Sequence, residues 1–168
     1  VARLKKGRRM EELEQFALND SMTGMYNRNA YDYFVKNERD FEGYVIVTFD
    51  LNNLKQCNDQ YGHRAGDEYI INAAHIIEDN FERYGKCYRI GGDEFCCIIP
   101  KGRYFKIERV MHKIDQDVEV LNHKNIIPVP VGIAYGYAVF TADDTDPEKV
   151  RERADKDMYR NKKTMKQS

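Results

Sequence analysis

Two short apolar runs, Cys87-Tyr-Arg-Ile90 and Glu94-Phe-Cys-Cys-Ile-Ile99, are separated only by Gly91-Gly92-Asp93. A glycine-led gap of that length cannot carry the crossover that parallel strands need, so the two runs predict an antiparallel hairpin. Any fold for this chain must supply partners for that hairpin. Gly43-Tyr-Val-Ile-Val-Thr-Phe-Asp50 is a further β-branched and aromatic run, too short for a helix, and reads as a buried strand that ends in an acid. Val129–Phe140 reads as a fourth strand, interrupted by Gly132 and Gly136. Helical spacing appears at Ile70, Ala73, Ile77 and Phe81 between Gly66 and about Tyr84. It recurs at Ile107, Val110, Ile114, Val118 and Leu121 between about Tyr104 and Leu121. Shorter helices are expected from about Arg28 to Lys36, and from Pro147 onward with Val150, Ala154 and Met158 on one face. Residues 51–65 read as polar and irregular. The order implies an α+β, ferredoxin-like βαββαβ core, with a mainly antiparallel central sheet and flanking helices.

Composition narrows the function classes. The 168 residues suit one domain, and 27 basic against 28 acidic side chains leave a net charge of −1, without the basic excess of a nucleic-acid or acidic-membrane binder. No apolar run approaches the ~18 residues of a membrane span, and no signal-peptide pattern opens the chain. Cys57, Cys87, Cys96 and Cys97 have no CxxC spacing, and His63, His75, His112 and His123 make no zinc-type pairing with them. The cysteines read as small buried hydrophobes in a reducing, cytoplasmic compartment, with adjacent Cys96 and Cys97 on opposite faces of a strand. Residues 1–18 form a charged helix with a thin stripe of Leu4, Met10, Leu13 and Ala17. That helix is either a solvated edge or the end of a coiled connector from an upstream sensory or signalling domain, leaving the main domain at 19–168. The first residue, Val1, suggests an excised piece, whose parent could be membrane-anchored through the upstream part.

Chemistry concentrates at the strand ends. Asp50 closes one strand, and Asp93 and Glu94 lie in the hairpin turn. Three carboxylates brought together repel one another unless a cation compensates. Mg²⁺ is the natural candidate, because one or two carboxylates plus substrate phosphates and water suffice to hold it. Gly91 and Gly92 remove side chains where a bulky ligand would approach the backbone. The plainer alternative is a hairpin with exposed acids. Asp50-Leu-Asn52-Asn53 starts like an EF-hand loop, but Leu54 and Lys55 stand where an oxygen ligand and a glycine are required; no GxxxxGK[ST] occurs either.

Arg89-Ile-Gly91-Gly92-Asp93-Glu94-Phe95 resembles the signature of the GGDEF domain, the diguanylate cyclase family. Asp20-Ser-Met-Thr-Gly-Met-Tyr-Asn27-Arg28 resembles that family's entry motif, D-x-L-T-G-L-x-N-R. The stretch from Asp50 through Lys55, Asn58-Asp59 and Gly62-His63 to Gly66-Asp67 follows its central segment, and Arg153-Ala-Asp155 through Tyr159 to Lys162 is similar to its closing one. The four motifs occur in order over residues 20–166.

The resemblance implies the palm-like fold of nucleotide cyclases and polymerases, and the condensation of two GTP into cyclic di-GMP with release of two pyrophosphates. It implies that Asp50, the Leu51 backbone carbonyl and Asp93, with Glu94, hold Mg²⁺, or Mn²⁺ in its place. Asp93 is the implied base for the ribose 3′-hydroxyl, with Glu94 assisting in metal binding or orientation. Asn58 and Asp67 would read guanine: a carboxylate only accepts, which suits guanine's N1–H and amino donors, and Asp67 therefore favours GTP over ATP. Against that stands ordinary capping by Asp67 and turn bonding by Asn58. The amides around Asn53 and Leu54 would cradle phosphates, with Lys55, Lys162 and Lys166 adding charge. Lys166 stands where the family often has Arg, which turns a bidentate grip into a point charge. His63 and Asp59 are expected to shape their loop. The family's R-x-x-D product-inhibition positions are occupied by Glu82 and Gly85, so no product inhibition is expected there. A symmetric product implies two domains facing each other as a homodimer. The competing expectations are a non-catalytic GTP-binding regulatory or scaffold module, and a cyclase making mixed GMP-AMP products, which Asp67 disfavours.

Overall fold

A computed structural model describes residues 2–103 and 106–167, without the side chains of residues 2–4, 15–16 and 163–167. Its elements are α1 Ala2–Leu18, α2 Arg28–Asn37, β1 Val45–Leu51, α3 Leu54–Tyr61, α4 His63–Phe81, β2 Lys86–Arg89, β3 Glu94–Ile99, α5 Ile107–His123, β4 Ile133–Val139 and α6 Pro147–Gln167. The four strands form one sheet in the order β2-β3-β1-β4, antiparallel throughout. This is the βαββαβ core that the element order implies, and the palm-like α+β fold that the resemblance implies.

Strand alternation divides the side chains between two apolar layers. Val47, Phe49 and Leu51 of β1, with Phe95, Cys97 and Ile99 of β3, pack against α4 and α5. Ile46, Tyr88, Cys96 and Ile98 turn to the other face, under α2 and α6. Cys96 and Cys97 thus face opposite ways, and all four cysteines are free and buried. Thr48 and Asp50 alternate with Val47 and Phe49, so Asp50 points toward α6.

The α6 helix lies unusually close to the sheet. A Cβ on Gly136 of β4 would stand 2.2 Å from Met158 N and 2.3 Å from Ala154 O. Only glycine admits that approach, which buries Val150 and Ala154 and carries Lys162 to the Asp50 end of β1.

Three boundaries differ from expectation. Residues 51–65 are not irregular: they hold α3 and the start of α4, hinged at Gly62 with φ 87°. Only Leu54 and Cys57 of α3 are buried, a contact too small to show as periodicity. The fourth strand begins at Ile133, because Val129 and Val131 are buried outside the ladder. Asn122 exchanges two hydrogen bonds with the Val131 backbone, at 3.0 and 2.8 Å, and occupies the groups a ladder would use. The helix expected from about Tyr104 starts at Ile107; Tyr104 lies outside the described residues. In α1, Met10 and Leu13 are exposed, whereas the Leu4 side chain lies outside the described set. Among the described residues, no helix is long and apolar enough to cross a membrane.

Candidate active site

β1 and β3 end side by side, and their register sets Asp50 directly opposite Glu94. Asp93 occupies the hairpin turn just before Glu94, which folds its carboxylate back over Gly91. Burial, followed by the charge of Asp50, raises the Asp93 pKa above the ordinary carboxylate value. Asp50 thus stands opposite Glu94 and close enough to Asp93 to act on its charge. It is partly neutralised from within, because Lys162 Nζ lies 2.5 Å from Asp50 Oδ2. Beside this pair, Asp50, Ile90, Glu94, Met158 and Lys162 line a cavity of about 280 Å³ between the sheet and α6.

The turn carrying Asp93 is held by Arg89. Its guanidinium donates to Gly91 O at 3.2 Å and Gly92 O at 3.1 Å, and to both Asp20 oxygens at 3.1 and 3.0 Å. Asp20 also accepts from the Thr23 amide and hydroxyl. Burial pushes the Asp20 pKa up, but the Thr23 and Arg89 bonds outweigh it and leave the carboxyl below its ordinary value. Sequence reasoning assigned no role to Arg89 or Asp20. The available signal was an arginine before the double glycine and an acid in a turn with a threonine three residues on.

After Leu51 the chain turns through Asn53, in the left-handed region at φ 64°, and enters α3. The first helical bond runs from Cys57 N–H to Asn53 O, which leaves the amides of Leu54, Lys55 and Gln56 without helical acceptors. This is an anion-accepting terminus of the kind expected for phosphate. Lys55 is exposed on its first turn. Lys166 belongs to α6, but its side chain lies outside the described residues.

Asn58 and Asp67 meet where α3 and α4 touch. A Cβ on Gly66 would stand 1.7 Å from Asn58 Oδ1, so glycine is what lets the amide lie against the α4 backbone beside Asp67. Asp67 is in the second turn of α4, whose N-cap is Gly62 with no side-chain cap bond. Among the described residues neither Asn58 nor Asp67 has a side-chain hydrogen bond, so neither serves the capping or turn role that competed with base recognition. Neither belongs to the wall of the cavity beside Lys162.

The family model "Diguanylate cyclase, GGDEF domain" matches residues 17–168. The chain belongs to the GGDEF family. It is 30% identical over 158 residues to diguanylate cyclase DgcS of Shewanella oneidensis, covering 90% of this chain and 52% of that protein. It is also 30% identical over 157 residues to MucR of Pseudomonas aeruginosa, a bifunctional diguanylate cyclase/cyclic di-GMP phosphodiesterase, covering 88% of this chain and 22% of MucR. The chain thus spans about half of one relative and about a fifth of the other. The coiled coil and GGDEF domain of DgcB from Caulobacter crescentus, solved with c-di-GMP, superposes with a TM-score of 0.78 at 24% identity, over 97% of this chain and 90% of that one.

As a GGDEF domain, the chain departs from the family pattern at Glu82 and Gly85. Glu82 caps the C-terminus of α4, and a Cβ on Gly85 would stand 2.1 Å from Ile98 O. The backbone of β3 therefore fills the space that an aspartate at position 85 would need.

The sheet-end residues fit a divalent cation in one specific sense. Among the described residues no three acidic, imidazole or thiol groups form a ready-made cage. Asp50 and Asp93 are nonetheless close enough for the charge of one to raise the pKa of the other, and Leu51 is the residue after Asp50. Two carboxylates and a carbonyl are the donor set of a site completed by nucleotide phosphates and water.

Proposed function

We propose that this GGDEF domain condenses two GTP into cyclic di-GMP, releasing two pyrophosphates. Asp50, the Leu51 carbonyl and Asp93, with Glu94 beside them, would hold Mg²⁺, or Mn²⁺ in its place. When bound, the ion neutralises charge on the triphosphate and on the departing pyrophosphate. Asp93 takes the proton of the ribose 3′-hydroxyl. Glu94 orients the turn and its partners. The free amides at the start of α3, with Lys55, Lys162 and Lys166, bind phosphate. Asn58 and Asp67 accept and donate to the guanine edge.

One domain offers one guanine pocket, and the product contains two guanines in symmetric positions. Two copies therefore meet with their hairpins opposed. Exposed Met10 and Leu13 on α1 suit a connector that brings the copies together, in line with the coiled coil of DgcB. The backbone approach at Gly85 supports a cyclase that its product does not restrain through the Glu82–Gly85 position.

The observation that carries the reading is the convergence of Asp50, Asp93 and Glu94 at adjoining sheet ends, with Lys162 as counter-ion. Incubation with Mg²⁺ and GTP, ATP or both, followed by mass identification of products at several protein concentrations, tests it. Cyclic di-GMP should form, with a rate that falls faster than linearly on dilution. GTP binding without turnover would instead identify a regulatory module.

A further inference from the structure

Tyr69 belongs to no motif that suggested a role, yet its hydroxyl reaches the loop that leads into α3. The side chain is fully buried in the core. Its hydroxyl donates to Asn52 O at 2.5 Å, accepts from Gly132 N–H at 2.9 Å, and lies 3.1 Å from Gly132 O. Asn52 N–H donates in turn to Gly132 O at 2.8 Å. A Cβ on Gly132 would stand 3.0 Å from Asn52 Nδ2, so the Asn52 side chain lies close over Gly132. Tyr69 thus fastens the residue after β1 to the residue before β4.

The next residue is Asn53, in a left-handed conformation that asparagine accepts more readily than most side chains. That conformation aims the unpartnered amides of α3. The same α4 helix carries Asp67, two residues before Tyr69, on its exposed side. We propose that Tyr69 is a positioning residue that locks the phosphate-accepting turn at Asn52–Leu54 to the helix bearing the guanine-reading Asp67, so that base and triphosphate are bound in one fixed relation. This rests on the proposed cyclase reading and adds a determinant of its triphosphate affinity.

The test compares two ligands on the full chain by calorimetry: guanosine, which lacks phosphate, and a non-hydrolysable GTP analogue with Mg²⁺. Tyr69→Phe keeps the ring packed and removes only the hydroxyl. Its affinity for the triphosphate should fall roughly 3- to 10-fold, the range expected for one lost hydrogen bond. Guanosine affinity should not change. Amide hydrogen exchange should quicken at Asn52 and Gly132, whose N–H groups bond within this cluster, and not in β3. Gly132→Ala crowds Asn52 from the other side while keeping Tyr69, and should reproduce the selective loss if Tyr69→Phe folds poorly. Equal weakening of both ligands, or of neither, in a wild type that binds both overturns the proposal alone. A wild type that binds neither ligand overturns the cyclase reading and this proposal together.

Discussion

Two acid–base pairs flank the signature turn, and they are built differently. Asp20 meets Arg89 through both carboxylate oxygens, accepts twice more from Thr23, and has its pKa lowered despite burial. All three guanidinium nitrogens of Arg89 donate, and both Asp20 oxygens accept. Asp50 meets Lys162 through one oxygen while lying beside Asp93, whose pKa burial and Asp50 together raise. The first pair is satisfied and holds the turn in place. The second leaves like charges close together, an arrangement that a divalent cation would relieve. On the proposed reading, the repelling acids are where the cation and substrate would act, and the bonded pair holds the turn.

Breaking the strained side should have the largest effect on activity. Asp50→Ala should lower product formation by about 10³-fold or more, by analogy with the loss of a principal electrostatic group. Its melting temperature should move little, because the loss of the Lys162 contact is offset by relief of Asp93. A variant retaining a tenth of wild-type turnover would place the reaction elsewhere.

Breaking the satisfied side should appear first in stability. Arg89→Ala leaves Asp20 and two carbonyls of the turn without their donor, at a cost of about 2–3 kcal/mol. That corresponds to a fall of roughly 5–10 °C in a domain of this size, measurable by calorimetry. The acid limb carries its own signature. Because the folded pKa of Asp20 is depressed, its stabilisation is present above the unfolded value and fades as pH falls through the folded one. An Arg89→Ala protein with unchanged melting would mean that the pair contributes nothing.

The smallest effect sharpens the contrast by its sign. Asp93 has a raised folded pKa, so folding favours its protonated form, and stability is lost as pH rises from the unfolded through the folded value. Asp93→Asn should therefore melt slightly higher than wild type at neutral pH, although it is inactive. The gain should vanish in acid, where the wild-type carboxyl is already protonated. Paired melting curves at the two pH values check this, and lower melting of the variant at neutral pH would contradict a strained turn.

Much of this was legible in the chain because the signals are local. A three-residue glycine-led gap admits only a hairpin, and acids closing apolar runs can only lie at sheet ends. Helices with five or more buried residues, such as α4 and α5, declare their period. The α3 helix does not, since two buried residues make no pattern, and the fourth strand was drawn too long because burial at Val129 and Val131 mimics a ladder.

Local chemistry thus specified which residues could bind, accept or repel: the order of strands, the acids at their ends and the glycines between them. Beyond the β2–β3 hairpin, pairing was decided only by the folded chain, because partners far apart in sequence are chosen by packing. Gly136 admits α6 to the sheet and so delivers Lys162 to Asp50 across 112 positions. Arg89 finds Asp20 across 69 positions, and Tyr69 spans 63 to reach Gly132. Nothing in the spacing of those residues foretold these contacts, since each depends on where an intervening helix or strand comes to rest.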